Sequence, residues 1–160
     1  MEVSTRPDGV AIVNDAYNAN PDSLRAALKA LAAMGNPQGA PPRRTWAVLG
    51  EMLELGDTAL AEHDAIGRLA VRLDVSRLVA VGEGARAIST GASHEGSWGE
   101  ESAWVPDVDA ALALLRAELE PGDVVLVKAS RSIGLDVIAT TLLADVPVDV
   151  PVDTGAGGAP

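Results

Sequence analysis

The run Val10-Ala-Ile-Val13 passes without a break into the polar stretch Asn14-Asp-Ala-Tyr-Asn-Ala-Asn-Pro-Asp-Ser23, and that junction constrains the fold more than any other part of the chain. The apolar run reads as a buried strand. Asn20 is a preferred N-cap, Pro21 suits the first helical position, Asp22 favours the positive end of the helix dipole, and Leu24, Leu28 and Leu31 follow at helical spacing. The pattern predicts a helix from Pro21 to about Met34. A strand that enters a capped helix through a polar loop is where a parallel α/β sheet binds its ligand. The helix start would offer backbone N–H groups to an anion, with Asp15, Tyr17 and Asn18 on the loop before it. Tyr17 is the only tyrosine in a chain without phenylalanine, and its place in a polar loop points to a contact role.

The alternation continues downstream. Glu2 to Ser4 and Val10 to Val13, joined by Arg6-Pro-Asp-Gly9, form an antiparallel edge. Asn36 to Arg44, rich in Pro and Gly, reads as an exposed connection. Thr45 to Leu49 is a strand ending at Gly50, and Ala59 to about Leu73 is a helix with Leu60, Ile66, Leu69 and Leu73 on one stripe. Arg77 to Val81 and Ala103 to Val105 are strands, Ala85 to Ser89 a short helix, and Gly91 to Glu101 a mobile loop. Asp107 to Leu119 is a helix, Pro121-Gly122-Asp123 a turn, and Val124 to Val127 the most apolar strand, expected near the sheet centre. A last helix starts at Ile133 or Leu135 and ends at Leu143. These elements predict a Rossmann-like α/β fold: a mainly parallel sheet of about six strands, helices on both faces and one antiparallel edge strand. Residues 1–145 form the domain and 146–160 a flexible tail.

Composition removes several function classes. A formal charge of −11 argues against nucleic acid or an anionic membrane as partner. With no cysteine there is no thiol chemistry, and His63 and His94 stand too far apart in sequence and context for a zinc site, so no metal ligands are assigned. No apolar run reaches the roughly 20 residues of a membrane span, and no signal-peptide pattern opens the chain, which reads as cytoplasmic.

Three polar motifs follow three strands. The first is Asp15 to Asn20. The second is Leu49-Gly-Glu-Met-Leu-Glu-Leu-Gly56, where Gly50 lets the chain leave the strand and Glu51 places a carboxylate at its end. The third is Lys128-Ala-Ser-Arg-Ser-Ile-Gly134, whose Lys128, Ser130, Arg131 and Ser132 combine a point charge, a guanidinium fork and two hydroxyls suited to phosphate or carboxylate. His63 reads as an exposed or capping histidine. Gly82-Glu-Gly84 lacks the third glycine of a dinucleotide fingerprint, and the sequence has no GxxxxGK[ST].

Taken together, NDAYNANPDS, LGEMLELGD with Glu62-His63, and VLVKASRSIGLD resemble the C-terminal domain of the Mur ligases, from Met1 to about Leu143, and most closely the branch that adds D-alanyl-D-alanine to UDP-N-acetylmuramoyl-tripeptide. Asn14, Glu51 and Ala129 depart from the residues usual in that family. The resemblance implies a three-domain ATP-dependent enzyme in which an N-terminal domain binds the UDP-sugar and a central domain carries the phosphate-binding loop and Mg2+. This chain would be the closing third domain, inactive alone, with Met1 internal to a longer protein. It further implies that Asp15, Tyr17, Asn18, Asn20 and Pro21 face the adenosine of ATP, that Lys128, Ser130 and Arg131 hold the dipeptide carboxylate or the transferring phosphate, and that Glu51 and His63 order the site. Sibling ligases, including the folylpolyglutamate synthases, share the fold but not the DAYNANPDS loop. A free-standing nucleotide-binding domain is the competing class. The missing glycine-rich first turn argues against a dehydrogenase or methyltransferase.

Overall fold

The computed structural model describes residues 1–97 and 99–145; the tail expected over 146–160 lies outside the described residues. Six strands are present: β1 (Glu2–Thr5), β2 (Ala11–Asp15), β3 (Thr45–Leu49), β4 (Arg77–Val81), β5 (Ser102–Val105) and β6 (Val124–Lys128). Five α-helices connect or follow them: α1 (Pro21–Gly35), α2 (Ala59–Arg72), α3 (Arg86–His94), α4 (Val108–Glu118) and α5 (Asp136–Ala144). The sheet order is β1-β2-β6-β3-β4-β5, with β1 antiparallel to β2 and every other pair parallel. The expected α/β sheet with one antiparallel edge is therefore the observed one, and β6, the most apolar strand, lies inside it.

Burial on both faces explains the continuous apolar runs. Ala11, Val13, Ala47, Leu49, Val124 and Leu126 face a cluster with the buried sides of α1, α2 and α3. Their strand neighbours Ile12, Trp46, Val48, Val125 and Val127 face the opposite cluster, closed by α4 and α5. The expected start of α1 holds in detail: the Asn20 side chain accepts the Ser23 N–H at 2.8 Å, and the Ser23 hydroxyl accepts the Asn20 N–H at 3.0 Å.

Three expectations need correction. Leu60 is 74% exposed; the buried stripe of α2 is His63, Ile66, Gly67 and Ala70, because the first turn of the helix stands beside an open groove. The short helix expected to end at Ser89 continues to His94, so Gly91 to His94 belong to α3 and not to a loop. Gly91 is there for contact, since a Cβ on it would collide with the backbone carbonyl of Asp64, as one on Gly67 would with that of Ile88. The two glycines let α2 and α3 approach backbone to backbone. Asp15, read as a loop residue, is the last residue of β2.

The outer end of this helix pair carries a charge clasp. Arg72 donates to Glu95 at 2.8 Å and Arg68 at 3.3 Å, which together hold the Glu95 carboxyl below its ordinary range, the Arg72 hydrogen bond being the largest cause.

Gly67→Ala should separate the two helices and destabilise the domain by about 1–3 kcal/mol, measured by chemical denaturation; an unchanged midpoint would refute the close approach. Because the Glu95 pKa is lowered in the folded chain, the clasp contributes fully above the unfolded carboxylate pKa and is lost as pH falls through the lower folded value. A Glu95→Gln variant should accordingly lose part of the stability difference between neutral and acidic pH that the parent chain shows.

Candidate functional site at the carboxyl ends of the strands

Asp15, Lys128 and Leu49 are register partners across β2, β6 and β3, so the three polar motifs leave the sheet at one level. The chain after β2 and after β3 turns towards the face of α1 and α2, whereas the chain after β6 turns to the face of α5. Adjacent strands whose connections part to opposite faces open a crevice at their carboxyl ends. A cavity of about 690 Å³ lies there, walled by residues 17–20, 53–55 and 130–132.

The loops around it are hydrogen-bonded to one another. Ser130 donates its N–H to the Glu51 carbonyl at 3.0 Å, and its hydroxyl accepts the Leu53 N–H at 2.9 Å. Lys128 is 2% exposed, and its ammonium donates to Asp15 Oδ2 at 2.7 Å and to the Asn18 carbonyl at 2.8 Å. Ala129 is fully buried with its Cβ against Gly50, where a second Cβ would come within 2.8 Å; the glycine at 50 makes room for the alanine at 129.

The structure thus brings Tyr17, Asn18, Asn20, Ser130 and Arg131 to one cavity and sets Asp15 and Lys128 beneath it. Tyr17 is 56% exposed. Pro21 opens α1 and does not line the cavity. Glu51 and His63 lie instead on a neighbouring groove of about 880 Å³ between α2 and α3. The Glu51 carboxylate rests where a Cβ of Gly84 would be, which gives the second glycine of Gly82-Glu-Gly84 a packing role.

His63 is 2% exposed, contrary to the reading of an exposed or capping residue. Its Nε2 accepts the Met52 N–H at 2.9 Å, so Nδ1 carries the proton that is donated to the Ala59 carbonyl at 2.6 Å. The side chain pins the loop after β3 to α2. Its signal in the sequence was the spacing 63, 66, 67, 70, an apolar-faced helical stripe that the choice of Leu60 as starting point obscured. Met52, buried under the same loop, was also missed.

The helix start offers an anion less than expected. Pro21 has no N–H, the Ser23 N–H is taken by the Asn20 side chain and the Leu24 N–H by the Asn20 carbonyl. Arg131 supplies the positive charge instead. Among the described residues every other arginine donates to a carboxylate or a backbone carbonyl, while the exposed Arg131 guanidinium has no such partner and stands at the cavity wall.

The family model described as "Mur ligase, glutamate ligase domain" matches residues 1–131. The chain is 60% identical over 159 residues to the UDP-N-acetylmuramoyl-tripeptide--D-alanyl-D-alanine ligase of Mycobacterium tuberculosis, covering 91% of this chain and 31% of that protein. It is 58% identical over 154 residues to the enzyme of the same name from Mycobacterium leprae, with 91% and 30% covered. Among solved structures, MurF from Acinetobacter baumannii superposes with a TM-score of 0.75 at 26% identity, over 90% of this chain and 30% of that one. The chain therefore spans under a third of the length of these relatives. On its sequence and its fold alike, it belongs to the Mur ligase family and carries that family's glutamate ligase domain.

Proposed function

We propose that this chain, over residues 1–145, is the C-terminal closing domain of an ATP-dependent ligase that joins D-alanyl-D-alanine to UDP-N-acetylmuramoyl-tripeptide in peptidoglycan precursor synthesis. The observation that carries the reading is the unpaired Arg131 guanidinium at the cavity where the three motif loops meet, in a chain 60% identical to a ligase named for that reaction. In such a reaction the peptide carboxylate takes the terminal phosphoryl group of ATP, giving an acyl phosphate and ADP. The dipeptide amine attacks the acyl carbon, and the tetrahedral intermediate collapses to the amide with loss of phosphate.

Both the transferring phosphoryl group and the dipeptide carboxylate are anions that a guanidinium holds by two parallel N–H···O bonds. Arg131 is the residue free to do so. The exposed Tyr17 ring and the amides of Asn18 and Asn20 suit the adenosine part of ATP, with Asp15 beneath them on the ribose side. Lys128 and Ser130 hold the loops that carry these groups. In this reading the phosphate-binding loop and Mg2+ belong to the central domain and the UDP-sugar to the N-terminal one, so the chain alone binds ATP weakly and does not turn over. Closure on the central domain would bring Arg131 to the developing charge and keep water from the acyl phosphate. The nucleotide-linked substrates place the enzyme in the cytoplasm, and no helix among the described residues is long and apolar enough to cross a membrane.

The test is ADP release by the uninterrupted parent reading frame, supplied with ATP and UDP-N-acetylmuramoyl-tripeptide, with and without D-alanyl-D-alanine. Release that requires both substrates is expected. Arg131→Ala should lower turnover by roughly 10²-fold, the usual cost of one donor to a developing anion, while leaving the thermal midpoint unchanged. An Arg131→Ala enzyme with full turnover would remove this residue from the site, and no release with either substrate would overturn the ligase reading.

A further inference from the structure

We infer that Lys128 is a positioning residue: its buried ammonium straps the loop after β2 to the end of the central strand and sets the presentation of Tyr17 and Asn18, and it does not itself contact a substrate anion. The strap is a matter of this chain's structure; its consequence for nucleotide binding rests on the ligase reading above.

An ammonium has three donors and tolerates burial only when they and its charge are matched. At Lys128, 2% exposed, the charge is matched by Asp15 Oδ2 at 2.7 Å and a second donor by the Asn18 carbonyl at 2.8 Å. Both partners lie across the sheet in the β2 segment, one at the strand end and one three residues on. The same short loop is tied twice more. Asn14 Oδ1 accepts the Ala16 N–H at 3.3 Å, and Asn20 caps α1. Tyr17 therefore stands, half out in solvent, on a backbone fixed on each side. A lysine already committed to a carboxylate and a carbonyl would have to release both to reach an incoming phosphate, leaving Asp15 with only the longer 3.8 Å contact of its Oδ1 to the Met1 amino group. Arg131 faces the cavity with no such commitment, which divides the work between the two cations of the motif.

The composition makes the strap directly observable, because the chain has two lysines and one tyrosine. Lys29 is exposed on α1, so only Lys128 should give an ammonium signal protected from solvent exchange in NMR of the 15N-lysine-labelled chain. Titration with inorganic phosphate or with D-alanyl-D-alanine should leave that signal in place. Asp15→Asn should expose it to exchange and broaden the ring signals of Tyr17, with the buried Trp46 indole N–H, hydrogen-bonded to Asp123 at 2.8 Å, unchanged as proof of folding. In the parent ligase, Lys128→Met should raise KM for ATP about tenfold, as expected for losing a charge-assisted bond, with a smaller effect on kcat. A Lys128 signal that exchanges freely in the parent chain, or that moves on phosphate or dipeptide addition, would overturn the inference, as would loss confined to kcat with Tyr17 undisturbed. If the unmodified parent protein shows no ligation at all, the ligase reading fails while the NMR result still decides the strap.

Discussion

The position of β6 between β2 and β3 is the constraint on which the rest of the molecule depends. A parallel sheet must be covered on both faces, and its crossovers are right-handed. Outward steps from β2 through β3 and β4 to β5 therefore lay α1, α2 and α3 on one face; the return from β5 to β6 lays α4 on the other, where α5 joins it after β6. Because β6 enters from the opposite direction, its outgoing loop parts from those of both neighbours. The crevice between them is a consequence of chain order, and the in-register ends at Asp15, Lys128 and Leu49 make its walls begin together.

The two ends of the sheet use their arginines differently. At the amino end, Arg44 donates to the buried Asp123 at 2.8 Å, and Asp123 also accepts the Trp46 indole N–H and the Glu120 N–H. The Asp123 hydrogen bond is the main reason the Arg44 pKa lies above its ordinary value. Arg43 donates to the carbonyls of Gly122 and Gly9, so that end is closed by internal bonds. At the carboxyl end the internal bonds come from Lys128, Ser130 and His63, and among the described residues the Arg131 guanidinium is left over. In a chain of net charge −11, where carboxylates are plentiful, an unpaired arginine beside a cavity is an uneven distribution that folding alone does not require.

Glycine and histidine show where one-dimensional reading falls short. Gly91 reads as part of a flexible segment because it sits near Gly96 and Gly99 in a serine-rich stretch, yet its missing side chain admits the backbone of α2. That partner, Asp64, is remote in sequence, and no local pattern announces it. His63 stands between two acidic residues and so reads as surface, but its ring is the bridge from α2 to the Met52 amide. Tertiary contact overrode the local polarity in both cases.

The sequence by itself determined the strands, the capped helix at Asn20 and Pro21, the central place of the Val124 to Val127 run, and the three polar motifs at strand ends, since each follows from apolar period, turn chemistry or capping within a few residues. The family was legible for the same reason: its motifs are local words in a fixed order. Only the tertiary structure decided which motif residues face the cavity and which are used up beneath it. Lys128 and Arg131 look alike as cations three residues apart in the chain. One lies at the buried end of a strand against a carboxylate from β2, the other on the exposed turn that follows, and that difference exists only once β2 and β6 are side by side.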